Sequence, residues 1–136
     1  MGVLIDTSVL IKHERGRIDL SGKLAGREAE DFFISVVTAS ELLHGVHRAR
    51  DEGIRAKRSA FVESILAGFP ILTIDLATAR IHSQIGAALS AAGTLIGPHD
   101  LWLAAACITH GLSLATENLR EFERVPGLNV ESWTAE

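Results

Sequence analysis

The sequence predicts an α/β fold: a three-layer α/β/α sandwich built on a parallel sheet of four to five strands. Three observations carry that expectation. Short, nearly all-apolar runs recur along the chain, helix-period segments separate them, and each run is closed by a polar residue or a turn signal. Strands buried on both faces read as unbroken apolar runs, and parallel neighbours need a crossover, usually a helix, between them.

Taken in order, Val3–Ile5 is a short apolar strand and Ser8–Arg15 a short helix. A Gly-rich polar stretch follows, then a helix near Leu20–Asp31. The β-branched and aromatic run Phe32–Val37 reads as the second strand. Thr38 starts a helix reaching about Arg50, and Gly53 interrupts the pattern. A further helix covers roughly Arg55–Ala67, with Phe61, Val62, Ile65, Leu66 and Phe69 on its apolar stripe. After Pro70, Ile71–Ile74 is the third strand, and Asp75 is a good N-cap for a helix over Leu76–Ala92. Gly93 suits a left-handed end to that helix. Pro98 opens the next one, apolar on most sides from Leu101 to Ile108, and Gly111 closes it. Leu112–Ala115 is the fourth strand and Leu128–Val130 a short fifth at one edge.

The 136 residues are expected to form one domain, residues 1–136, with no room for a second core. A hydrophobic content of 47% and a charged fraction of 22% are those of an ordinary globular protein. The single cysteine, Cys107, excludes an intramolecular disulfide and fits a reducing compartment. There is no apolar run of about 18 residues, so no membrane span is expected, and no basic segment precedes an apolar stretch at the N-terminus. Met1-Gly2 lacks the Ser or Thr at position 6 that myristoylation wants, since Asp6 stands there. These features read as cytoplasmic. A net charge of −4 argues against coating nucleic acid by charge alone. Basic residues nevertheless cluster at Arg48, Arg50, Arg55, Lys57 and Arg58, either as a solvated helix face or as a phosphate-tracking rim.

Four polar positions share one context. Asp6, Glu41, Asp100 and Asn118 each follow an apolar strand-like run or sit in the first turn of the next helix. In an open parallel sheet such strand ends gather into one crevice, where ligands bind. Three carboxylates and an amide there suit a hard cation, magnesium or manganese. Each also has a plain local reading. Asp6 can cap a helix, Thr38-Ala39-Ser40-Glu41 can form a capping box, and Asp100 can complement a helix dipole. The same positive helix ends keep carboxylates ionised, so capping and metal binding are compatible.

Joint occurrence decides between them. Leu4-Ile5-Asp6-Thr7-Ser8, Thr38 through Gly45, Ile96-Gly97-Pro98-His99-Asp100 with its Ala-rich helix, and Thr116 through Leu128 occur in order. Together they resemble the PIN-domain ribonucleases, specifically the VapC toxins of bacterial toxin–antitoxin pairs, from Val3 to Trp133. The closing segment is similar to the VapC branch that acts on initiator transfer RNA. The resemblance implies that Asp6 and Asp100 are the principal metal ligands, with Glu41 completing the acidic cluster. A fourth acid of many PIN domains falls on Asn118 here, and Glu121, ahead of Glu117, is the candidate to replace it. Ser8 and Thr116 either hydrogen-bond metal-bound water or satisfy local backbone. Also implied are Mg2+ (or Mn2+) dependence, hydrolysis of RNA to a 5′-phosphate and a 3′-hydroxyl, a homodimer, and a VapB antitoxin. Its tail would wrap the toxin and present a basic side chain to the carboxylates.

Other readings fare worse. A receiver-like signalling module needs an acid pair near the first strand; Asp75 can pose as its phosphorylated Asp, but the pair is missing. A haloacid dehalogenase-type phosphatase wants an acid two residues beyond Asp6, where Ser8 stands. A PIN fold that only binds RNA is the alternative that Asn118 keeps open. His44 and His47 share a helix face, yet no cysteine pair or third clustered histidine completes a zinc site. His99, beside Asp100, is a candidate substrate contact, and Trp102 and Cys107 are expected in the core.

Overall fold

The computed structural model describes residues 2–134, in which the alternating pattern becomes a five-stranded sheet with helices on both faces. Its strands are β1 (Gly2–Ile5), β2 (Asp31–Ser35), β3 (Ile71–Leu72), β4 (Ser113–Thr116) and β5 (Val130–Ser132). They lie in the order β3-β2-β1-β4-β5, and every pairing is parallel. The chain therefore builds outward from β1 in one direction and then crosses back to β4. The gap between β1 and β4 is the topological switch point, where parallel sheets open a crevice.

On one face lie α1 (Thr7–Glu14), α2 (Leu20–Leu24), α3 (Val36–Arg48) and α4 (Glu52–Gly68). On the other lie α5 (Leu76–Ala92), α6 (Pro98–His110) and the short α7 (Leu119–Phe122), which the sequence reading did not anticipate. The two-residue period of β1 divides the core. Val3 and Ile5 pack with Val9, Leu10, Leu42 and Val62, whereas Leu4 faces Leu89, Leu103, Leu114 and Phe122. Side chains buried this fully contribute about 1.5–3 kcal/mol each. Among the described residues, no helix is long and apolar enough to cross a membrane.

Several boundaries differ from expectation. The helix expected over Leu20–Asp31 stops at Leu24, Gly26 adopts φ 77°, and Asp31 joins β2. The second strand ends at Ser35, not Val37, because the Ser35 hydroxyl accepts the Val37 amide at 3.0 Å and starts α3 there. Thr38 is thus already helical and fully buried, so the expected capping box does not form. Gly53 does not interrupt α4, which Asp51 caps through the Ile54 amide at 2.8 Å. The third strand is shortened to Ile71–Leu72, with Ile74 beyond it 42% exposed. The fourth and fifth strands each begin later than read, by one and two residues. By contrast α5 has its expected limits, with Asp75 accepting the Thr78 amide at 2.9 Å and Gly93 left-handed. In α6, Pro98 stands at the start and Gly111 is left-handed, as read.

Candidate active site

Strand register brings the first and last candidate segments together. Ile5 pairs with Ala115, and the Asp6 amide donates to the Ala115 carbonyl at 2.9 Å. Asp6 then leaves β1 beside Thr116, the last residue of β4. Although Asp6 holds the N-cap position of α1, its carboxylate makes no cap bond. Its Oδ2 instead accepts the hydroxyls of Thr116 at 2.6 Å and Ser8 at 2.8 Å. Thr116 Oγ1 in turn accepts the Asn118 amide at 2.9 Å. The hydroxyls of Ser8 and Thr116 thus lock Asp6, a role outside the two anticipated for them. Burial pushes the Asp6 carboxyl up, opposed by the Thr116 and Ser8 hydroxyls.

Glu41 reaches the same hollow from the second turn of α3. Its Oε1 lies 2.7 Å from Thr7 Oγ1, which also lies 3.0 Å from Thr38 Oγ1. A hydroxyl has one proton, so Thr7 donates to the carboxylate and accepts from Thr38. Glu41 Oε2 meets His99 Nδ1 at 3.0 Å. His99 is therefore tied to an acid of the cluster, while its side chain stays 57% exposed. From the sequence Thr38 is read only as a helix-capping residue, and neither it nor Thr7 as a support for Glu41. Their signal is slight: Thr7 follows Asp6 directly, and Thr38 is three residues before Glu41.

Asp100 stands in the first turn of α6, where the helix dipole favours its charge. It shares a hydrogen bond with Glu121, and burial, then Glu121, Asp6 and Glu41, push its carboxyl up to about 8. Glu121 is held from two further sides, by the Gly97 amide and by Asn118 Nδ2 at 2.8 and 2.7 Å. Glu117 is paired elsewhere, 3.8 Å from Lys12 Nζ. The carboxylate beside Asp100 is thus Glu121, and Asn118 supports it.

Asp6, Thr7, Ser8, Glu41, Asp100 and Asn118 line one cleft of about 240 Å3, with Ile11 and without a lysine or arginine. Its donors are hard oxygens, which suit magnesium or manganese. Among the described residues, no three Asp, Glu, His or Cys side chains converge as a preformed metal cage. His44 and His47 are exposed on α3 and no zinc site forms around them among the described residues. Cys107 is buried in α6, and burial pushes its thiol up, out of reach of chemistry at neutral pH. Trp102 is only half-buried and stacks on His82, ring centroids 3.6 Å apart, which corrects its expected place in the core.

Comparison with known proteins converges on one family. Residues 3–128 match the PIN domain. Ribonuclease VapC1 of Rickettsia felis is 38% identical over 130 residues, 96% of this chain and 95% of that protein. The tRNA(fMet)-specific endonuclease VapC of Salmonella typhimurium is 37% identical over 101 residues, 74% of each chain. A chain in the crystal structure of DNA-bound VapBC from Salmonella typhimurium superposes with a TM-score of 0.89. It is 29% identical, with 98% of each chain covered. With its acids gathered at the β1–β4 switch point, this chain belongs to the PIN-domain family, on its VapC branch.

Proposed function

We infer that this chain is an endoribonuclease toxin that hydrolyses RNA phosphodiester bonds with the help of Mg2+, or Mn2+ in its place. One observation carries the reading: Asp6, Glu41 and Asp100 line one cleft, with Glu121 hydrogen-bonded to Asp100 and no lysine or arginine on the lining. Asp6 and Asp100 would hold the ion, Glu41 would complete the cluster, and Glu121 would supply the fourth carboxylate. When bound, the cation acidifies water and neutralises charge that builds on the phosphate oxygens. The chain's own residues do the positioning. Thr116 and Ser8 fix Asp6, Thr7 fixes Glu41, and Asn118 with the Gly97 amide holds Glu121 against Asp100.

Glu121 also bears on the RNA-binding remnant as an alternative, because it provides the carboxylate that Asn118 lacks. The products expected are a 5′-phosphate and a 3′-hydroxyl. Similarity to the tRNA(fMet)-specific relative supports transfer RNA, and the initiator anticodon stem-loop in particular, as substrate. Similarity to chains from VapBC complexes supports a VapB antitoxin that covers the cleft and offers it a basic side chain. A homodimer acting in the cytoplasm completes the reading.

The test is digestion of total RNA by the purified chain, with cut sites mapped by sequencing. Discrete cuts are expected in Mg2+, none after chelation, and none from Asp6→Asn or Asp100→Asn protein whose circular dichroism is unchanged. Retained cutting by both variants overturns the reading.

A further inference from the structure

The acidic cleft is one end of a longer groove. Glu41 and Ile11 line the cleft and also a second hollow of about 380 Å3, whose wall includes Arg48. Glu41, Ile11 and Arg48 then line a third, of about 180 Å3, which ends on Arg15 and Arg58 and also contains Glu14. Charge changes sign along this path. Glu41, Gly45 and Arg48 are spaced i, i+4, i+7 on one face of α3, so helical rise puts Arg48 about 10 Å beyond Glu41.

The basic residues there are not equivalent. Arg58 is committed to the fold, donating to the Gly45 carbonyl at 3.2 Å and lying 3.7 Å from Glu14. Arg55 donates to the Ala49 carbonyl. Arg48 and Arg15 are exposed, and neither side chain has a hydrogen bond or ion pair among the described residues. Arg50 is equally exposed but lines none of the three hollows. A net charge of −4 gives the molecule no general attraction for a polyanion, so local placement has to supply it.

We propose that Arg48, with Arg15 beyond it, binds an RNA phosphate flanking the scissile one and so sets which bond lies over the carboxylates. This rests on the ribonuclease reading and adds the substrate's path to it. A guanidinium matches two phosphate oxygens at once, and phosphates repeat along the strand, so a fixed anchor selects a register.

The experiment measures binding of a fluorescein-labelled single-stranded RNA by anisotropy across a salt series, with calcium replacing magnesium to hold back cleavage. Wild type, Arg48→Gln, Arg15→Gln and Arg50→Gln are compared. Arg48→Gln should lower the slope of log affinity against log salt by about 0.7, the value for one single-strand phosphate contact, and Arg50→Gln should not. In magnesium, Arg48→Gln should raise KM and spread the cuts over neighbouring bonds. One methylphosphonate beside the cut should slow wild type but not Arg48→Gln. Equal slopes for Arg48→Gln and Arg50→Gln, or an undiminished methylphosphonate penalty in Arg48→Gln, overturn the proposal while the ribonuclease reading stands. Binding of labelled hexaglutamate that Arg48→Gln abolishes, beside an unchanged RNA slope, assigns the groove to an acidic protein segment and also overturns it. Should wild type cut no RNA, the ribonuclease reading fails, and the slopes still decide whether Arg48 holds a phosphate.

Discussion

Two regions of this molecule gather carboxylates, and they are built oppositely. Beside β5, Arg27 sits between Glu30 and Glu131, with Nη1 2.7 Å from Glu131 Oε1 and the guanidinium over the Phe32 and Trp133 rings. Hydrogen bonds from Arg27 hold both carboxylates below their ordinary range. In the cleft, four acids approach one another and burial with mutual repulsion pushes Asp100 up. The first cluster contains its cation and is complete as folded. The second has hydroxyls and amides aimed at its oxygens and no lysine or arginine on its lining, and it is there that we propose a divalent ion sits.

The sharpest way to break that contrast is to neutralise one acid in each region. Asp6→Asn should cut the initial rate of RNA cleavage by about a hundredfold or more, because the proposed ligand itself is lost rather than its support. Glu131→Gln should leave that rate unchanged and lower the melting temperature instead. Similar cleavage losses in both would show that the cleft has no special role. Next in size is Thr116→Val, which keeps shape but removes the 2.6 Å bond to Asp6 Oδ2. Loss of a supporting bond of this kind costs about ten- to a hundredfold, read in the same assay. Asn118→Asp is a smaller test. If Asn118 touched the ion directly, an added charge would preserve or raise activity. Because its amide donates to Glu121 at 2.7 Å, the substitution should instead set like charges together and weaken Mn2+ binding by calorimetry.

How legible each part was follows from how local its cause is. The helices α5 and α6 were read nearly to the residue because Asp75, Gly93, Pro98 and Gly111 act on backbone groups a few positions away. The start of α3 was not, because Val36-Val37 has strand character and only the Ser35 cap, with Val37 buried at 9%, turns it helical. The helix-forming stretch after Leu24 is diverted to a partner 104 positions distant, since Arg27 pairs with Glu131. No local pattern carries that. Asp6 was legible as the polar close of an apolar run and Asp100 as the acid opening an apolar helix, and parallel strand order brings those ends to one edge of the sheet. The Glu121–Asp100 contact was less so. The family resemblance pointed at position 118 and offered Glu121, ahead of Glu117, as its replacement; α7 is what brings Glu121 to Asp100. The Thr7–Thr38–Glu41 chain had no periodic signature, being hydroxyls seated where two helices begin.

The smallest effect separates the two regions by pH. A carboxyl raised in the fold stabilises the protein when protonated. Asp100 contributes fully below its unfolded value of about 4, and the contribution is lost as pH rises through about 8. Glu30 and Glu131 are lowered, so their contribution is present above the usual carboxylate range and lost as pH falls through it. In chelator the melting temperature should therefore fall on both sides, for different reasons, by a few degrees on the alkaline flank. Magnesium should restore the alkaline flank alone, since binding to the native state adds stability where the acids are ionised. Asp100→Asn should flatten that flank without magnesium, and Glu131→Gln should flatten only the acid one. A wild-type melting temperature that stays level in chelator from about pH 6 to about pH 9 would mean the cleft acids do not strain one another, and the contrast would lose its electrostatic basis.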